Sequence, residues 1–127
     1  QAFTSMAASM SQLYRDKLEA AETAHEAQNA VVELICGSDY APDREMNLIF
    51  EMYAYANHHS AVADLSRSWM SRSRESLAVH FSERTCMALD ALIEGWPIHR
   101  SFERAPLDRA LVTSTVGAIV TALEGEN

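Results

Sequence analysis

The stretch PLDRALVTSTVGAIVTAL, residues 106–123, decides the fold. Leu107, Leu111, Val112, Val116, Ile119, Val120 and Leu123 recur at three- and four-residue steps, which is one apolar stripe of an α-helix. Ala110, Thr113, Ser114, Thr115, Gly117, Ala118, Thr121 and Ala122 fill the remaining surface, and no charge occurs from Ala110 to Leu123. Pro106 reads as a first-turn residue that opens the helix. A helix at the end of a short domain ordinarily turns charge toward water; this one offers small residues that permit close helix approach. Two readings follow. Either the helix is covered on one side by its own core and on the other by a second subunit, apolar in the manner of a homodimer interface, or it runs through the centre of a monomeric bundle.

The same period extends upstream. Phe3, Met6, Met10, Leu13, Tyr14 and Leu18 make a first helix ending near Ala21. Thr23 with Glu26 three residues on has the form of a capping box. It opens a second helix that carries Ala27, Ala30, Val31, Leu34 and Ile35 inward and closes at Gly37, a residue that takes the left-handed conformation without steric cost. Ser38-Asp39-Tyr40-Ala41-Pro42 reads as a loop. A third helix over 43–58 has so little polar surface that it is expected to be buried nearly all round. The fourth, 60–80, is amphipathic through Val62, Leu65, Trp69, Leu77 and His80 and basic outside through Arg67, Arg72 and Arg74. Ser82 caps a fifth bearing Met87, Leu89, Leu92, Ile93 and Trp96, which Pro97 should kink or interrupt. No alternation of period two marks a strand. The expectation is an all-α, six-helix bundle in one domain over residues 1–127.

Composition excludes several classes. The 127 residues are 48% hydrophobic and 22% charged, a globular balance, and ten basic against eighteen acidic residues leave a net charge of −8. Such a surface repels phosphate backbones, so this chain is not itself a nucleic-acid-binding module. Cys36 and Cys86 have no metal-site spacing and read as small apolar residues in a reducing cytoplasm. Apolar runs at 30–35 and 116–123 fall far short of the roughly 20 residues of a membrane span. No secretory signal opens the chain, which begins at Gln1 rather than Met and is therefore expected to be a processed protein or part of a longer one.

Catalytic patterns fail one by one. His25-Glu26-Ala27-Gln28-Asn29 places Asn where a zinc motif needs its second His. Glu22 and His25 fit one di-iron motif where two are required, and a helix break separates them. The rings of His58 and His59 diverge. Asp90 and Glu94, four residues apart, repel each other and are expected on a solvated edge. No enzyme, metal or cofactor is expected. A pocket has more support. Phe50, Tyr53 and Asn57 share a line on the third helix, and Trp69, Ser73 and Ser76 share one on the fourth. Aromatic walls with a few polar tips suit a small organic ligand; equally, these side chains can simply fill the core. His80 and His99 lie in or beside apolar stripes and read either as ligand contacts or as core and interface residues.

Cys86-Met87-Ala88-Leu89-Asp90-Ala91-Leu92-Ile93-Glu94-Gly95-Trp96, then Ile98–Phe102, then Ala105-Pro106-Leu107-Asp108, resembles the C-terminal region of TetR-family transcriptional regulators, most nearly the BetI-like branch. The junction HHSAVADLSRSW, residues 58–69, is similar to one between central helices of that family. The resemblance implies a homodimer that binds a small-molecule effector and meets operator DNA only through an N-terminal helix-turn-helix domain, which this chain lacks. It implies dimerisation through the last two helices: Leu89, Leu92, Ile93 and Trp96 on the fifth, and Leu111, Val112, Thr115, Val116, Ile119, Val120 and Leu123 on the sixth. Ligand contacts follow no shared motif there, so the candidates rest on periodicity. Phe50, Tyr53, Trp69 and Trp96 are the expected walls, with Asn57, Ser73, His80 and His99 as polar contacts, between the third, fourth and fifth helices. The alternative is a free-standing dimeric helical interaction protein that binds no DNA.

Overall fold

A computed structural model describes residues 2–37, 40–103 and 105–125. They form six helices and, among the described residues, no strand: α1 (Ala2–Glu19), α2 (Ala24–Cys36), α3 (Asp43–Ala56), α4 (Ser60–Ala78), α5 (Glu83–Glu103) and α6 (Arg109–Glu124). The fold is all-α, as the periodicity requires. α5 is the hub and packs on α2, α3, α4 and α6, while α1 lies on α4, α2 and α3, and α6 on α2 and α5. The core follows the stripes. Met6, Met10, Tyr14 and Leu18 from α1 meet Val62, Trp69 and Leu77 from α4, and Leu89 and Ile93 from α5, all buried. Among the described residues no helix is long and apolar enough to cross a membrane.

Local chemistry sets the helix ends. The Thr23 hydroxyl accepts the Glu26 N–H at 3.1 Å, satisfying an N-terminal donor of α2. Gly37, expected in the left-handed region, is extended at φ −71° instead. The Arg100 guanidinium explains this: it donates to the carbonyls of Ile35 and Gly37 at 3.3 and 3.4 Å and of Ala41 at 2.6 Å, so acceptors at the end of α2 find their donors on α5. The left-handed residue is Ala41, at φ 54°, just before Pro42. Ser38 and Asp39 of the expected loop lie outside the described residues.

Four further expectations are corrected. α3 is not buried all round: Met46, Ile49 and Met52 are buried, but Ala54 is exposed and Tyr55 is 48% exposed, because α3 packs from one side only. Of the two outcomes expected at Pro97, interruption does not occur, since α5 continues to Glu103; the hub position, with helices on several sides, outweighs the lost hydrogen bond. Met87 turns outward, the inward stripe being Thr85, Cys86, Leu89, Ile93 and Pro97. Pro106 does not open α6. Asp108 does, its carboxylate accepting the Leu111 N–H at 3.2 Å, which suits the partial positive charge of a helix start. Cys36 and Cys86 are unpaired thiols, and burial pushes that of Cys86 up to about 11.

Candidate functional site

Between α3, α4 and α5, closed at one end by Met10 of α1 and by Tyr40 and Ala41 of the α2–α3 loop, lies a small cavity. α3 contributes Met46 and Ile49, α4 contributes Trp69, Met70 and Ser73, and α5 contributes Asp90, Ile93, Glu94, Pro97 and Ile98. Its volume is about 20 Å³, room for a single water-sized group. No Lys, Arg or His stands among its described lining residues, whereas two carboxylates do.

Those carboxylates are the main surprise. The spacing places Asp90 and Glu94 on a solvated edge; the structure turns both inward. The Asp90 side chain is 15% exposed and accepts the Tyr14 hydroxyl of α1 at 3.1 Å. Glu94 accepts the Tyr53 hydroxyl of α3. Burial raises the Asp90 carboxyl to about 6; the Tyr14 hydrogen bond opposes that rise, Glu94 adds to it, and Arg74, 3.7 Å away on α4, opposes it again. Tyr14, Tyr40 and Tyr53 are all held above the usual phenol range, chiefly by burial, and so stay neutral donors. Trp69 stacks on Tyr53 with ring centroids 6.1 Å apart, and its indole N–H is buried without a hydrogen-bond acceptor. The Ser73 hydroxyl is satisfied by the Trp69 carbonyl at 3.2 Å.

The eight residues singled out for a ligand separate in space. Trp69 and Ser73 line the cavity, and Tyr53 stands behind its wall through Trp69 and Glu94. Phe50 packs instead on Phe102, centroids 5.6 Å apart. Asn57 is exposed just past the end of α3. His80 sits at the far end of α4, its ring N–H donating to the Leu18 carbonyl at 2.8 Å. Trp96 and His99 lie on the outer side of α5 beside Leu92 and Gly95, with His99 near Glu103 at 3.5 Å. Met10, Met46, Met70 and the two acids were not among the candidates. The available signal was the register of α5: Asp90 and Glu94 each follow a core residue, Leu89 and Ile93, and so share one flank of its buried stripe.

The residues of the proposed interface separate too. Leu89, Ile93, Val112, Val116 and Val120 are buried in the chain's own core. Leu92, Trp96, Thr115, Ile119 and Leu123 are half-buried, and Leu111 is 54% exposed. Among the described residues, no group of three or more His, Cys, Asp or Glu could hold a metal.

Comparison with known proteins gives the class. No family model matches the chain, and no curated protein does. Among solved structures, a protein of Streptomyces coelicolor A3(2) described as a transcriptional regulator is 35% identical and superposes with a TM-score of 0.85. The match covers 94% of this chain and 69% of that one. The fold is thus that of part of a transcriptional regulator. This chain belongs to the family of that regulator.

Proposed function

We propose that this chain is the effector-sensing and dimerisation domain of a TetR-like transcriptional repressor, in which a helix-turn-helix domain upstream binds operator DNA. The observation that carries the reading is the agreement of fold and sequence with a regulator over nearly the whole chain. The cavity between α3, α4 and α5 is the effector site, with Trp69 and Ser73 on its wall and Tyr53 behind it. Effector binding shifts the population toward a dimer whose DNA-reading heads no longer fit successive major grooves.

Dimerisation uses the outer faces of α5 and α6, which pack on each other. Leu92 and Trp96 on α5 and Leu111, Thr115, Ala118, Ile119 and Ala122 on α6 are the half-buried and exposed residues assigned to it, without charge on the α6 side. Exposed apolar surface of that kind is stabilised by a second copy. Leu89, Ile93, Val112, Val116 and Val120 support the interface from beneath, as the core on which it rests.

The test has two arms. A thermal-shift screen of small metabolites on this chain should find a stabilising compound whose effect is lost when Ser73→Leu fills the cavity. The same compound should release the longer gene product from its own promoter DNA. A longer product that starts without a helix-turn-helix and binds no DNA would instead favour the free-standing interaction protein.

A further inference from the structure

The two acids in the cavity wall narrow what the site can hold, taking as given the effector-site reading above. Asp90 and Glu94 lie one turn apart on the same flank of α5, and such a pair repels itself. No basic residue lines the cavity among the described residues, and Arg74 reaches Asp90 only from the half-exposed outer side. Pro97 has no N–H to give the Ile93 carbonyl, so the same stretch of wall lacks one more hydrogen-bond donor. Acceptors and negative charge are in excess on α5. On α4 the balance is opposite: Trp69 is 4% exposed and its indole N–H has no acceptor. A buried polar group without a partner is destabilising, and a ligand supplying that acceptor would recover the loss.

We propose that the cavity binds a small organic cation, a protonated amine whose ammonium lies between the Asp90 and Glu94 carboxylates and whose neighbouring ether or hydroxyl oxygen accepts from Trp69. A cavity of about 20 Å³ matches an ammonium head, which is close to water in size. The apolar tail lies along Met10, Met46 and Met70, unbranched side chains that change rotamer readily and so open the site to fit it. An anion would meet two like charges, and a neutral ligand would add to the hydrogen bonds from Tyr14 and Tyr53 no counter-charge inside the cavity.

The experiment is calorimetric titration of this chain with three matched probes: 2-phenoxyethylammonium, 2-phenoxyethanol and phenoxyacetate. The ammonium should bind at least tenfold more tightly than the alcohol, and phenoxyacetate should not bind. Asp90→Asn and Glu94→Gln should each weaken the ammonium at least tenfold, while Glu19→Gln, an exposed acid on α1, changes nothing. Circular dichroism establishes that each variant is folded. The proposal is overturned if the alcohol or the carboxylate binds as well as the ammonium, if the carboxamide variants bind it like the wild type, or if none of the three binds. Should phenoxyethanol or phenoxyacetate bind in a way that Ser73→Leu abolishes, the effector site stands and only its cationic preference falls. Ammonium binding indifferent to Ser73→Leu places the ligand elsewhere and overturns the proposal.

Discussion

The Tyr14 hydroxyl on α1 donates to the Asp90 carboxylate on α5 at 3.1 Å, joining the first helix of the chain to the hub of the bundle beside the cavity. Tyr14 is 1% exposed, so its ring is fixed by packing and its hydroxyl has little choice of partner. The Tyr40 ring meets it edge-on at 5.7 Å and completes a wall of phenols around the acid. Removing only the hydroxyl isolates this bond. Tyr14→Phe should lower the unfolding free energy by about 1.5–3 kcal/mol, the range for a hydrogen bond to a charged group. Urea denaturation at pH 7.5 measures it; an unchanged midpoint would mean that water replaces the phenol.

Asp90 makes stability depend on pH in the direction opposite to most carboxylates. Its folded value, about 6, lies above the ordinary 3.8, because burial outweighs the hydrogen bond from Tyr14 and the attraction of Arg74. The native state therefore takes up the proton first, and this group's contribution to stability grows as pH falls from about 6 toward 4. At neutral pH the charged form costs up to ~3 kcal/mol. Asp90→Asn keeps an acceptor for Tyr14 and removes the charge. It should unfold at higher urea than the wild type at pH 7.5, and the gap should narrow to roughly half at pH 5 and close below about pH 4. A gap independent of pH would exclude Asp90 as the titrating group.

Helix positions were legible because each α-helix of this bundle carries its own stripe, and a 3.6-residue period is a local signal. The inward turn of Asp90 and Glu94 was not. The register of α5 sets them on one flank of its stripe, but what holds them inside are phenols 76 residues away for Asp90 and 41 away for Glu94, which no spacing within α5 reports. Gly37 and Pro106 fail for a related reason. Each has a strong local preference, but Arg100, remote in sequence, supplies the donors at the first position, and Asp108, two residues on, caps better at the second. Aromatic periodicity found Trp69 and Ser73 of the cavity; it also selected Phe50 and Asn57, which share a helix line with Tyr53 and yet face Phe102 and solvent.

Glu124, in the last turn of α6, acts as a cap for a different helix. It accepts the Ser82 N–H at 3.0 Å and the Thr85 hydroxyl at 2.6 Å at the start of α5. The hydroxyls of Ser82 and Thr85, then the Ser82 N–H, hold its carboxyl below the usual range. With the folded value depressed, its contribution is present above the unfolded value and lost as pH falls through the folded one. Glu124→Gln should cost about 1 kcal/mol, as caps commonly do, and no more, because solvent screens the carboxylate. That corresponds to a fall in melting temperature of ~4 °C, which differential scanning calorimetry at pH 7 resolves. The deficit should shrink at pH 3.

Arg100 organises the loop that forms one end of the cavity, through its bonds to the carbonyls of Ile35, Gly37 and Ala41. Arg100→Met keeps the length of the stem and deletes every donor. Three carbonyls then lose their partner, and hydrogen exchange at the amides of Tyr40 and Ala41 should accelerate at least tenfold, while the core amides of α4 stay protected. Uniform acceleration across the chain would show global destabilisation instead of a loosened loop.

The choice of residue decides whether a test of dimerisation is meaningful. Val116 lies on the apolar stripe of α6 but is completely buried within its own chain, so a Glu there places an unpaired charge in the core and unfolds the domain whatever its oligomeric state. Leu111 is 54% exposed and Ala118, two turns on along the same outer face, is exposed too; a charge at either leaves the core intact. In a dimer built on this face, Leu111→Glu or Ala118→Glu puts like charges across a symmetric interface, since a two-fold contact sets the same patch against itself. Sedimentation equilibrium should then show a dimer for the wild type and at least tenfold weaker association for each variant, with circular dichroism unchanged. A wild-type chain that sediments as a monomer, or variants that associate as tightly as it does, would remove the outer face of α5 and α6 as the dimer contact.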